Sequence, residues 1–167
     1  AMTPAGSALV AVSSADASLS WTANGNPAGT VYELQKASEG ASYAAHSTYT
    51  AEAALVSVLL PSTTYAFRVR ARSGDDLPSA FDLVVTSQTR PPPPGLPGTP
   101  SPVVLSTAEV SWSWTISTGA AGYQVFLASK TSELLASPSS YSFTASGLGP
   151  NGPSGIVVRG VNTSGTG

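Results

Sequence analysis

From Tyr65 to Arg72 the chain alternates without a break, with Tyr65, Phe67, Val69 and Ala71 on one side and Ala66, Arg68, Arg70 and Arg72 on the other. That period of two predicts a strand with one face in a core and one in water. Shorter runs of the same kind precede it: 7–12 (SALVAV), 17–22 (ASLSWT), 31–35 (VYELQ) and the apolar 55–60. Between them lie turn-rich breaks, namely 13–16 and the 23–30 loop with its Asn-Gly and Asn-Pro pairs. Leu19, Trp21, Tyr32 and Leu34 take the inward phase, Glu33 and Gln35 the outward one. The stretch 37–54 is small and polar and supports only a short edge strand near Tyr43 or Tyr49. After a turn at 74–78, residues 81–89 supply a last strand and complete a first domain over 4–89.

Residues 90–95, Arg-Pro-Pro-Pro-Pro-Gly, follow as a linker. Consecutive prolines favour polyproline II, a stiff spacer rising ~3.1 Å per residue, so two bodies held apart are expected. Beyond it the pattern recurs over 96–167. Trp114 repeats Trp21 at an offset of 93, Tyr123 repeats Tyr32 at 91, and Leu148-x-Pro150 repeats Leu59-x-Pro61 at 89. Strands are expected at 103–105, 108–114, 123–128, 141–146 and 155–161, with Trp112 adding core volume where the first copy has Leu19.

The spacing Leu59-x-Pro61-x-Thr63-x-Tyr65 resembles the tyrosine corner of the fibronectin type III family, in which the phenol hydrogen bonds back to the chain at the crossover between two sheets. The resemblance implies an all-β chain of two immunoglobulin-like antiparallel sandwiches in tandem. The second copy departs from it, since Gly152 and Ser154 stand where the first has Thr63 and Tyr65. It also reaches only six residues past Val161, short of any equivalent of 81–89, so it is expected to lack its last strand and to leave an open edge.

Composition narrows the function. Charged residues make up 10% of the chain and net charge is −2, which gives no electrostatic footprint for nucleic acid. There is no cysteine and no apolar run long enough for membrane insertion. The one histidine, His46, sits in the weak 37–54 stretch as a surface residue, and no nucleophile with its base, carboxylate pair, metal cage or phosphate-cradling glycine motif is present. The expectation is a non-enzyme with no catalytic residues, cofactor or metal.

Surfaces are what is left. On the outer side of the first domain Arg68, Arg70 and Arg72 form a ladder beside Glu33 and Gln35, read first as a self-paired face and second as a site for an acidic glycan or protein. In the second domain the matching positions carry Val157, Arg159 and Val161, with Phe126 outward on the neighbouring strand, a candidate face for a neighbouring domain or another chain. The Ala, Gly, Ser, Thr and Pro bias resembles bacterial secreted proteins, so an extracellular or cell-surface location is expected. The leading function is a non-catalytic spacer, adhesion or protein-interaction module. The alternatives are a carbohydrate-binding accessory of a secreted enzyme, disfavoured because Trp21, Trp112 and Trp114 all take inward phases, and a structural subunit assembling by strand exchange.

Overall fold

The structure is a computed structural model that describes residues 1–149 and 155–167. It divides into two units, Ala1–Arg90 and Pro91–Gly167. In the first, β1 (Ala5–Val12), β2 (Ala17–Thr22) and β5 (Ala53–Val56) form one sheet in the order β1-β2-β5. The opposing sheet holds β3 (Val31–Ser38), β4 (Ala44–Tyr49), β6 (Thr64–Arg72) and β7 (Val85–Gln88) in the order β4-β3-β6-β7. All pairings are antiparallel. Alternation does what it should: β2 and β6 bury every second residue, and Leu19, Trp21, Tyr32, Leu34, Phe67 and Val69 meet in the space between the sheets. The Trp21 indole meets the Tyr32 ring edge-on at 5.6 Å, a favoured aromatic geometry. This is an all-β sandwich.

The apolar run 55–60 is not one strand. β5 stops at Val56, and the chain turns through Ser57 to Leu60, carrying buried Leu59 inward. Here the corner closes: the Leu60 N–H donates to Tyr65 Oη at 3.0 Å, while buried Thr89 donates its hydroxyl to the Leu60 carbonyl at 2.6 Å. Val58 takes a positive φ of 59° with its side chain 91% exposed. A β-branched residue in the left-handed region crowds its own backbone, and exposure gives it nothing in return. The strand expected at 81–89 is regular only over β7; ahead of it the N–H groups of Ser79 and Asp82 bond the Ala71 and Val69 carbonyls one at a time.

The second unit repeats the plan. β8 (Ser101–Ser106), β9 (Glu109–Ser113) and β12 (Ser142–Ala145) form a sheet in the order β12-β9-β8. β10 (Gly122–Leu127), β11 (Lys130–Ala136), β13 (Ile156–Asn162) and β14 (Gly165–Thr166) form the other, in the order β11-β10-β13-β14. Trp112, Trp114, Tyr123 and Val125 make its core. Of the motif positions in this copy, Pro150, Gly152 and Ser154 lie outside the described residues. A different tyrosine bond is present: the Ser117 N–H donates to Tyr123 Oη at 3.0 Å, whereas the hydroxyl of Tyr32, its counterpart, is buried without a hydrogen-bond partner among the described residues. β11 was not anticipated, because Lys130-Thr-Ser-Glu-Leu-Leu-Ala136 is exposed on nearly every residue and shows no alternation.

Two expectations are corrected here. Residues 90–95 do not stand free as a spacer: from Pro91 onward the run belongs to the second unit. Asn162 Nδ2 donates to the Pro92 carbonyl at 2.7 Å, Ser164 Oγ to that of Pro91, and the Gly95 N–H to that of Thr118 at 3.0 Å. Pro94 is buried, and a Cβ at Gly160 would lie 3.1 Å from Pro94 Cβ and 2.9 Å from Ser117 Oγ, so glycine there is what lets the prolines lie against the strand. Nor is a last strand wholly lacking, since β14 pairs with Val161 and Asn162 of β13.

These bonds can be ranked by substitution. Tyr65→Phe should cost about 1–2 kcal/mol, because it strands the Leu60 N–H, while Tyr32→Phe should change stability by less than about 0.5 kcal/mol. Urea unfolding read at first-unit amides by NMR checks the order, and equal costs would detach Tyr65 from the corner. By the same readout Val58→Gly should stabilise the unit by about 0.5–1 kcal/mol, the relief of left-handed crowding exceeding the entropy that glycine loses.

Candidate interaction faces

On the outer face of the first unit the register of β3 on β6 places Glu33 across from Arg70 and Gln35 across from Arg68. Phase alone makes Glu33 an outward residue, yet it is buried, because long side chains from the next strand fold over it. Arg70 reaches it through Nε at 3.1 Å and Nη2 at 2.9 Å, Arg72 through Nε at 2.9 Å, and Gln35 donates Nε2 to it at 2.7 Å. Arg72 also bridges to Asp76 at 2.8 Å. Burial would push the Glu33 carboxyl up, but hydrogen bonds from Arg70, Gln35 and Arg72, with the charge of Arg70, hold it below the usual carboxylate value. Arg68 bonds the Gln35 amide oxygen through Nε and Nη2 and lies 4.0 Å from the centres of both the Tyr43 and Phe81 rings. The ladder is therefore closed on itself: two of its arginines share one carboxylate and the third is stacked between aromatics.

His46 does not join this network by any hydrogen bond. It sits half-buried on β4, and burial together with the charge of Lys36 lowers its pKa from the ordinary histidine value. Among the described residues no group of three or more His, Asp or Glu side chains converges in a way that could hold a metal ion.

The second unit brings its four singled-out residues to one face. Phe126 lies across from Val157, Gln124 from Arg159 and Gly122 from Val161 on the β10–β13 ladder. Phe126 is nevertheless only 7% exposed, and the Arg159 guanidinium lies 5.1 Å from the centre of its ring. Val157 and Val161 are half-buried, so the exposed apolar side chain of the row is Leu134, across from Phe126 on β11, which the sequence did not show. Sequence reasoning also missed Tyr43 and Phe81, whose roles depend on where a loop delivers them and not on strand phase.

The charge closure on Glu33 has a pH signature. Its folded-state pKa is depressed, so its contribution is present above the ordinary carboxylate range and is lost as the pH falls through the folded value. Glu33→Gln should cost the first unit about 1–3 kcal/mol at neutral pH. The gap to wild type should close as the pH drops below about 4. Urea unfolding across that range checks it, and a gap independent of pH would remove the charge from the account.

Comparison with known proteins bears on the whole chain. Residues 3–81 match the model of the family described as "Fibronectin type III domain". The chain is similar to "Endoglucanase B" of Cellulomonas fimi, 34% identical over 161 residues, a match that takes in 89% of this chain and 15% of that relative's length. Among solved structures it is similar to chicken CNTN1 domains FN1 to FN3, with a TM-score of 0.57 at 21% identity, covering 98% of this chain and 63% of that one. That likeness is one of fold. Residues 3–81 are a fibronectin type III domain, and the chain as a whole has the form of two such domains in tandem.

Proposed function

We propose that the chain is a non-catalytic module of an extracellular protein, one that spaces and positions neighbouring parts and offers sheet faces for protein contact. The similarity to an endoglucanase supports an accessory role in a secreted carbohydrate-active enzyme, because the matched stretch is a small part of a relative whose name describes a catalyst. One observation favours spacing over sugar binding. Trp21, Trp112 and Trp114 are each 4% exposed inside their sandwiches, so none offers the flat aromatic surface on which a sugar ring stacks. In the first unit, moreover, the arginines that could meet an acidic glycan are engaged with Glu33, Gln35 and aromatic rings. Half-buried Val157 and Val161, beside the Phe126–Arg159 pair, together with exposed Leu134 are the apolar positions that a protein neighbour would meet on the second unit.

Affinity electrophoresis through gels containing soluble glucans should leave the chain unretarded, with tryptophan emission unchanged by the same polysaccharides. Retardation that Tyr141→Ala abolishes would overturn this reading, since Tyr141 is an aromatic that stands well exposed, and would make the chain a carbohydrate-binding module.

A further inference from the structure

Charge closure on the outer face of the first unit stops at Arg68. Arg70 and Arg72 both donate to the Glu33 carboxylate, and Arg72 has Asp76 besides. Arg68 is bonded instead to Gln35, whose amide oxygen accepts from Nε at 3.0 Å and from Nη2 at 2.7 Å but carries no charge. Among the described residues no carboxylate pairs with it, so the surplus positive charge of the ladder rests there. Arg68 is also held in one orientation. Tyr43, just ahead of β4, and Phe81, in the loop ahead of β7, place their ring centres 4.0 Å from its guanidinium carbon. β4 and β7 are the two edges of this sheet, so the rings arrive from opposite sides and strip water from both faces of the planar group. Gln35 takes the side edge, Nε with Nη2. What remains is the end edge: Nη1, which makes no hydrogen bond among the described residues, and the second N–H of Nη2.

Two parallel N–H groups on one edge are the fork that receives a carboxylate through both of its oxygens. We propose that the end edge of Arg68 is a receptor for a single carboxylate side chain, Asp or Glu, of a partner polypeptide. Charge complementarity calls for an anion, because a guanidinium that has lost water from both faces gains when its charge is met. Shape then selects among anions. A carboxylate bound end-on continues the guanidinium plane between the Tyr43 and Phe81 rings, whereas tetrahedral sulfate or phosphate turns oxygens out of that plane. The neighbouring charges select a single anion over a polyanionic glycan: Arg70 and Arg72 are already met by Glu33 and Asp76, and those carboxylates repel the repeated charges of such a chain. Only the source of the carboxylate rests on the reading of the chain as a protein-contact module; retardation by neutral glucans would defeat that reading and leave binding at Arg68 to be measured by itself.

The probe is the peptide acetyl-Gly-Glu-Gly-amide, titrated at fixed ionic strength into the full chain isotopically labelled on arginine and glutamine. NMR follows the Arg68 Nε–H and the Gln35 side-chain amide. Both signals should shift saturably, half-complete on the order of 10 mM. Exposed Arg159, which has the Phe126 ring alone beside it, should show no saturation in the same solution. The peptide with Gln in place of Glu should move neither signal. Arg68→Lys keeps the charge and removes the fork, so it should weaken the response at Gln35 about tenfold or more. No saturation, the same curve at Arg159, an equal response to the Gln peptide, or unchanged affinity in Arg68→Lys would each overturn the proposal. So would inorganic phosphate binding as tightly as the peptide, which would remove the selection for a carboxylate, or tetragalacturonate binding more tightly at Arg68, which would give the site to a glycan.

Discussion

The pairing of β3 with β6, unbroken from Val31 against Arg72 to Ser38 against Tyr65, is the constraint from which the first unit follows. Because side chains alternate across a strand, one register sets two surfaces together. Inward it aligns Tyr32 and Leu34 with Ala71 and Val69 under Trp21; outward it sets Glu33 and Gln35 under the arginines. A slip of one residue would drive arginine into the core and leave Phe67 in water, so the buried side holds the charged side in register. The tyrosine corner, through the Leu60 N–H, then fixes where β6 begins, and Thr89 ties the end of the unit to the carbonyl of that same residue.

How much of this could be read from residues alone depends on whether the determinant was local. The alternation from Tyr65 and the Leu59-x-Pro61-x-Thr63-x-Tyr65 spacing are local, and the sandwich, its core phases and the corner bond follow from them. The closure of the ladder was half legible. Register brings Glu33 to Arg70, but its burial comes from the reach of Arg72 and the stacking of Phe81, delivered by a loop that has no period. β11 was illegible for the opposite reason, since an edge strand with little buried on either side has no pattern to impose. The proline run was misread because its composition favours a free extended form, while its carbonyls are engaged by Asn162 and Ser164, some seventy residues further along.

The two units solve the same packing problem with different polar bonds. In the first, Tyr65 serves the corner and the Tyr32 hydroxyl has no partner among the described residues; in the second, the tyrosine in the place of Tyr32 takes the Ser117 N–H, and the Ser117 hydroxyl in turn bonds the Gly95 carbonyl. A phenol at one core position is thus spent on ring packing alone in one copy and on anchoring a loop in the other. The architecture tolerates this because large aromatics from both sheets fill the interior in either case.

The seating of residues 91–95 also decides how the second unit meets force. A free polyproline segment under tension would rotate and extend before anything folded felt the load. Here a pull arriving through Arg90 is carried at once into the bonds that Ser164, Asn162 and Thr118 make with the run. Those bonds join the first residues of the unit to its last hairpin and to the loop around Ser117, so the run cannot extend without breaking them. The prolines act as an anchor, fastened to the fold of the second unit from Pro91 onward.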